Sequence, residues 1–455
     1  MAFKIKKVLF LFACVFFAFF FTACHQTIDN PNILEIKRTF YATDLRGKTP
    51  TRYKLNAECL TQGRHCILYV EEGENITIEQ GTAIVYQFDE LIYPRITAAF
   101  GEPVLQSDEK RITLLLLDIQ DTYKGSGGYV AGYFYPNDIL HSSDSNMLPM
   151  LYIDTNPGFK NPDNSYTTTA HELQHLISYS MRMSKGFPQF ETWIDEGLST
   201  GAEYLYKQQQ QYNRIQYFSG YESSVWEGNN FYIWGNRNDA LAEYSSTYMF
   251  FQWLGIQSSN SYDIYKDVIQ SEHGNFMAVT EAAQHRIKGI TSYEDSSQEV
   301  WKKLLGYWYS ANAVCESNEY LGYKNNINIS QIYSPTTQKV SLAPGEGVFS
   351  APSFLTMETT GLSHAVISRV NQEAYFDINE DEYKALESEG LVYAILTYNA
   401  NADSGSGEID FEIPDYLPRS NIPNFVGNNQ AAAMQNIKPQ TYPVDVKTLL
   451  PNNKW

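Results

Sequence analysis

Two histidines and a glutamate between residues 171 and 196 could together hold a metal ion. His171 and His175 stand four residues apart in the sequence HELQH, and residues at that spacing share one face of a helix. Zinc accepts imidazole nitrogens well, and Glu196 in the sequence WIDEGLS offers a carboxylate as the third ligand. Three protein ligands leave the fourth position open for water, which is typical of a catalytic zinc site. Glu172 is the neighbour of His171 and could act on that water as a general base.

Two helices are needed to bring these residues together. Hydroxyl side chains in residues 165–169 predict the N-terminal cap of the first helix, and Gly186 predicts its end. The second helix is predicted to begin between residues 192 and 195. Glu203 then falls two turns after Glu196 on the same face, where it could hydrogen-bond a zinc-binding histidine.

Other interpretations of the motif are open. Both histidines could be ordinary helix residues, with both glutamates as solvated charges. A fold of the same type could also have lost its activity. The motif, the helix context and the third carboxylate would have to coincide by chance in the first case, and all four key residues are intact, which argues against the second.

The two motifs resemble the gluzincin arrangement, in which a glutamate on the following helix is the third zinc ligand. More narrowly, the chain resembles the hyicolysin family of bacterial zinc metallopeptidases over roughly residues 50 to 320. Matching segments are FDELIYP from residue 88, LYIDT from residue 151 and YSSTY from residue 244. The resemblance implies a thermolysin-like peptidase fold, with a β-rich N-terminal lobe, a helical C-terminal lobe and one bound Zn²⁺.

The resemblance also implies a donor for the oxyanion that forms during hydrolysis. A tyrosine supplies its phenol in related gluzincins. Tyr244 and Tyr248 lie one turn apart on a predicted helix and are the candidates in this chain. The alternative for each is a tyrosine of the hydrophobic core.

The first 23 residues are predicted to be a lipoprotein signal peptide. Lysines near the start precede an apolar run, residues 8–21, that is too short to span a membrane comfortably. The sequence FTAC resembles the bacterial lipobox, with Phe21 in place of the usual leucine, and implies lipidation of Cys24. A plain secretory signal is the alternative. We expect an exported protein, lipid-anchored to a bacterial membrane on its periplasmic face or at the cell surface, with residues 24–31 as a tether.

Charge and composition exclude a nucleic-acid partner. The chain has a formal net charge of −19 and no basic patch, whereas nucleic-acid binding needs clustered positive charge. The expected partners are a protein or peptide substrate and, through the lipid, a membrane. We expect the chain to act as a monomer.

Cysteine usage agrees with export. Cys59 and Cys66 flank six residues that predict a turn, so a disulfide could join the two strands of a hairpin in an oxidising compartment. A metal site with His65 is the alternative, but it would lack a fourth ligand. Cys315 is then unpaired and is most simply a core residue.

The chain is predicted to be of the α+β class, with an appended domain. Residues 32–320 form the predicted zinc metallopeptidase domain. Short β-rich runs separated by turns in residues 321–417 predict a small β-sandwich, and residues 418–455 predict an extended tail.

Three functions compete at this point. An endopeptidase is favoured, because the chain has no GxMEN-like segment ahead of the zinc motif, where an aminopeptidase would bind a free N-terminus. An aminopeptidase using the same zinc chemistry is the second hypothesis. The third is a non-enzymatic surface lipoprotein, such as an adhesin with a vestigial or structural zinc site, which the intact Glu172 disfavours.

Overall fold

The computed structural model of the chain describes residues 36–412 with short gaps. The predicted signal peptide, the tether with Cys24 and the predicted tail lie outside the described residues. The gaps are residues 141, 220–224, 226–227, 229–230, 236–238, 259–261, 288–289, 291–294, 316–320, 330–338, 353–359, 369–372, 404 and 406.

A six-stranded mixed sheet forms the first part of the fold. Its order is β1-β2-β3-β4-β6-β5, in which β3, β4 and β6 are parallel to one another and the remaining neighbours are antiparallel. Strand β4 has the sequence ITLLLL and is buried along its whole length, as expected of a strand covered on both faces. The strands are β1 (Lys37–Asp44), β2 (Thr51–Gln62), β3 (Cys66–Glu71), β4 (Ile112–Leu117), β5 (Gly132–Tyr133) and β6 (Met150–Asp154).

A helical crossover joins β3 to β4, as a parallel connection requires. Helix α1 (Ile78–Gln87) begins with a capping box between Thr77 and Gln80. A π-helical turn, Phe88–Ile92, leads directly into α2 (Tyr93–Phe100). The sequence predicts one helix over residues 78–98, and the structure gives this helix with a π turn in its middle.

In the described part of the chain, seven α-helices lie between this sheet and the C-terminal strands. Helix α3 packs against β5, β6 and α4, and α4 also packs against α6. The core between them is rich in aromatic rings: Trp193 of α4 lies against Phe231 and Trp301, with centroids 5.7 and 5.4 Å away. The helices are α3 (Pro162–Lys185), α4 (Thr192–Lys207), α5 (Tyr212–Phe218), α6 (Ala240–Gln257), α7 (Asp263–Gln270), α8 (Phe276–Arg286) and α9 (Ser297–Val314).

The C-terminal region contains two smaller antiparallel sheets, of order β10-β9-β11-β8 and β12-β7. The hydroxyl of Tyr398 donates to the carbonyl of Lys302 in α9, and that of Tyr309 donates to the carbonyl of Gly345. These contacts tie the strands to the helices. The elements are β7 (Lys339–Leu342), β8 (Gly347–Ser350), β9 (Ser363–Ser368), β10 (Ala374–Phe376), α10 (Glu380–Ser388), β11 (Val392–Tyr398) and β12 (Ile409–Glu412).

The mixed α+β class predicted from the sequence is therefore present. Two finer predictions, thermolysin-like lobes and a separate β-sandwich in residues 321–417, stay predictions. Within the described ranges, no helix combines the length and the apolar character that a membrane span needs.

The predicted disulfide between Cys59 and Cys66 is wrong in this structure, where both are free thiols. The β2–β3 hairpin forms, but its register places Cys59 opposite Tyr69 rather than opposite Cys66. The hairpin turn between β2 and β3 is instead held by Asp89, which lies in the π-helical turn. Its carboxylate accepts the backbone N–H groups of Arg64 and His65 at 2.5 and 3.0 Å.

Candidate metal centre

Helix α3 carries the two histidines in its buried middle. It begins at Pro162, earlier than the predicted cap, and ends at Gly186 in the left-handed conformation. Two of the hydroxyls expected to cap it bond within the helix instead: Thr167 donates to the carbonyl of Asp163, and Thr169 to that of Ser165. His171 and His175 are 0% and 4% exposed. The ligand pair is thus held in the buried middle of this helix.

Helix α4 brings Glu196 to the histidines, and a buried arginine fixes its approach. Arg182, near the end of α3, is fully buried. Its Nε donates to the carbonyl of Pro188 at 2.7 Å, in the loop that leads to α4. Its other nitrogens donate to the carbonyls of Ser271 and His273 at 2.9 and 2.8 Å. These bonds hold the turn between the two site helices against the end of α7.

The three predicted ligands converge. One donor atom from each of His171, His175 and Glu196 lies within 4.8 Å of the others, and no other histidine, cysteine or acidic group in the described part of the chain meets this geometry. Oε2 of Glu196 is 3.2 Å from Nε2 of His171 and 3.8 Å from Nε2 of His175. All three residues are buried.

Several polar atoms at this point are buried without a hydrogen-bond partner. They include Nε2 of His171 and Oε2 of Glu196. Buried polar groups are nearly always satisfied, because an unmatched one costs about 1–3 kcal/mol. A cation among them would satisfy these atoms, and two imidazoles with one carboxylate is a donor set that zinc accepts. The residues present therefore fit a zinc ion.

A carboxylate orients each histidine ring from its far side. Oε1 of Glu203 lies 2.7 Å from Nδ1 of His171, at the position the helical spacing predicts. Oδ2 of Asp195 lies 3.2 Å from Nδ1 of His175. Such partners fix the tautomer and the direction of metal-binding imidazoles. Both rings therefore turn Nε2 towards the centre.

Burial and charge perturb the pKa values of the site. Burial raises the pKa of Glu172 to about 7. Burial alone would lower the pKa of His175, but the charges of Asp195 and Glu196 outweigh it and raise that pKa to about 10. Burial would raise the pKa of Glu203, but Arg214 and His171 hold it below its usual value. The local excess of carboxylates favours a cation at the centre.

The structure bears differently on the two tyrosine candidates for the oxyanion donor. Tyr248 is fully buried, and its hydroxyl donates to Oε1 of Gln210 at 2.6 Å and accepts the N–H of Gln211 at 2.9 Å. Because that hydroxyl is engaged, the prediction of Tyr248 as oxyanion donor is not supported. The ring of Tyr244 lies under the guanidinium of Arg214, with 5.3 Å to its centroid. A catalytic role for its hydroxyl stays a prediction.

Asp195 and Arg214 are among the residues of the site that were missed in the sequence. Asp195 stands directly before Glu196. This position beside the third ligand was the signal that could have identified Asp195 as a residue of the site. Arg214 donates to Oε1 of Glu203 at 2.9 Å. It follows the end of α4, where Gln208 is left-handed and the chain turns, so no helical spacing connects it to Glu203.

Comparison with known proteins is consistent with this site. No protein-family model matches the chain. The chain is 29% identical over 269 residues to the neutral metalloprotease ShpI of Staphylococcus hyicus. The match covers 57% of this chain and 60% of that protein, so the chain spans about three fifths of the relative's length. The similarity supports a relationship to metallopeptidases, with a buried group that could bind the metal.

Proposed function

We propose that the chain is a zinc-dependent metallopeptidase that cleaves internal peptide bonds. The observation that carries the proposal is the position of Glu172, whose carboxylate is completely buried beside the convergent ligand atoms. Burial raises its pKa to about 7, which suits proton transfer near neutral pH. The similarity to a protein named a neutral metalloprotease supports the same function.

The chemistry divides between the metal and the chain. Zinc in a site of this kind supplies a Lewis acid that activates water and polarises a carbonyl group. Glu172 accepts a proton from the attacking water and passes it to the amine nitrogen as the C–N bond breaks. Glu203 and Asp195 keep Nδ1 of each imidazole as the donor, which leaves the lone pair of Nε2 for the metal.

The proposal extends to the finer features that the sequence indicates. We assign the chain to the gluzincin type, with a thermolysin-like arrangement and a resemblance to the hyicolysin family, because Glu196 follows the HELQH motif on the next helix. Export and a lipid at Cys24 rest on the sequence FTAC and the apolar run before it. Replacement of Cys24 with alanine should abolish incorporation of labelled lipid, and unchanged incorporation would refute the anchor.

Metal removal and restoration test the function. The purified full-length chain is treated with EDTA and assayed on casein and on a quenched peptide blocked at both ends. Cleavage should be lost and should return when zinc is added. Cleavage of peptides with a free N-terminus but not of blocked ones would indicate an aminopeptidase. Zinc binding without cleavage of any peptide would contradict the peptidase function and favour a binding protein.

A further inference from the structure

A buried arginine, Arg214, contacts the carboxylate of Glu203, the partner of His171. Oε1 of Glu203, which contacts Nδ1 of His171, also accepts a hydrogen bond from the guanidinium of Arg214 at 2.9 Å. Both charged side chains are almost completely buried, at 10% and 7% exposed for Arg214 and Glu203. The order Arg214, Glu203, His171 thus leads from α5 to the centre through two contacts.

Helix α6 holds Arg214 in this position. The ring of Tyr244 packs against its guanidinium, as cations and aromatic faces do. One turn later, Tyr248 bonds Gln210 and Gln211 in the connection from which α5 begins. Tyr244 therefore packs against the arginine, and Tyr248 fixes the turn that precedes α5, the helix that carries Arg214.

We propose that Arg214 is a positioning residue of the metal centre, which acts through Glu203 on the orientation of His171. The inference rests on the proposed zinc site. Removal of the guanidinium would leave the charge of Glu203 buried and opposed only by His171. The carboxylate would then be free to rotate, and its hold on Nδ1 of His171 would weaken. Arg214 would contact neither the metal nor the reacting atoms.

A double-mutant cycle distinguishes this role from a purely structural one. The full-length variants are R214M, E203Q, the double variant E203Q/R214M and R214K. Their affinity for Zn²⁺ is measured by competition with a chromogenic chelator, and the visible spectrum is recorded after loading with Co²⁺. The control is R52M. Arg52 and Asp138 form a comparable buried pair, with side chains 8% and 0% exposed and 3.1 Å between the charged atoms.

The expected result is a loss of metal affinity that depends on Glu203. R214M should bind Zn²⁺ about tenfold more weakly and should change the Co²⁺ spectrum, as loss of an outer-shell partner does. In the E203Q background the same substitution should change the affinity by less than about twofold, because the residue through which it acts is gone. R214K should lie between R214M and the unmodified chain, since lysine keeps the charge but not the planar fork. R52M should leave affinity unchanged.

Equal effects of R214M in both backgrounds, or an equal effect of R52M, would overturn the proposal. If R214M does not fold, R214K decides: an affinity and a spectrum identical to those of the unmodified chain would reject the role of Arg214. The result is separable from the peptidase function. A chain that binds zinc and cleaves peptides with no response to R214M refutes this inference alone, whereas weakened metal binding in a chain that cleaves nothing refutes the peptidase function alone.

Discussion

Asp195 and His175 connect the two site helices: Oδ2 of Asp195 lies 3.2 Å from Nδ1 of His175. Helix α4 therefore supplies both the third ligand, Glu196, and the carboxylate that orients a ligand on α3. Replacement of Asp195 with asparagine keeps the shape and removes the charge. We expect Zn²⁺ affinity, measured by chelator competition, to fall by about 10-fold or more. The control is D267N, which removes an acidic group that pairs with Arg286; a similar loss there would contradict a local effect.

Gly197 follows the third ligand and allows α4 to approach α6 closely. A Cβ at this position would lie 2.2 Å from two ring carbons of Phe251, which is fully buried and has no room to retreat. G197A should therefore lower the free energy of unfolding by about 1–3 kcal/mol, although alanine by itself favours a helix by about 1 kcal/mol. Urea denaturation measures the change. The G197A substitution should also weaken zinc binding, because relief of the clash moves the helical turn that carries Glu196.

Gly407 provides the matched control for that substitution. Apart from its chain neighbours, no described residue comes within 4 Å of the position that a Cβ would take at Gly407. G407A should change the free energy of unfolding by less than about 0.5 kcal/mol and leave zinc affinity unchanged. An equal destabilisation by the two alanines would show that the contact with Phe251 is not the cause.

Asp154, at the end of β6, should give a pH-dependent stability. Burial raises its pKa from 3.8 to about 7. The folded chain thus holds this proton more tightly than the unfolded chain does, so the contribution of Asp154 to stability falls as pH rises from about 4 to about 7. The amide side chain of the D154N variant does not titrate. The free energy of unfolding of the unmodified chain, relative to D154N, should therefore fall by a few kcal/mol across this window and be level outside it.

Urea denaturation at a series of pH values tests the prediction for Asp154. The matched control is D410N, at an exposed strand position. A difference for D154N that is constant with pH, that grows with rising pH, or that D410N reproduces, would show that the proton is not held more tightly in the folded state.

Helical spacing predicts the part of the site that lies on two helices. His171 and His175 follow from the four-residue repeat, and Glu203 from its position two turns after Glu196. Gly186 marks the end of α3 as its sequence indicates, because glycine readily adopts the left-handed conformation that closes this helix. These features depend on short segments whose geometry is set locally.

Features that depend on how distant segments meet were missed or wrongly predicted. Arg214 reaches Glu203 only because the chain reverses at Gln208, and no spacing encodes that reversal. The phenol of Tyr248 is directed by its partner Gln210, which the sequence does not reveal. The disulfide prediction failed for a related reason. The turn correctly suggested a hairpin, but the strand register decides which side chains meet, and it places Cys59 opposite Tyr69.

Replacement of Glu172 with glutamine tests the central claim most directly. Glutamine keeps the size of the side chain but cannot accept a proton from water. Zinc content by mass spectrometry and cleavage of a quenched, end-blocked peptide are measured on the same preparations. The zinc-peptidase account predicts full zinc content and a cleavage rate about 10²–10⁴-fold lower than that of the unmodified chain. Undiminished cleavage by the glutamine variant, with zinc retained, would contradict it.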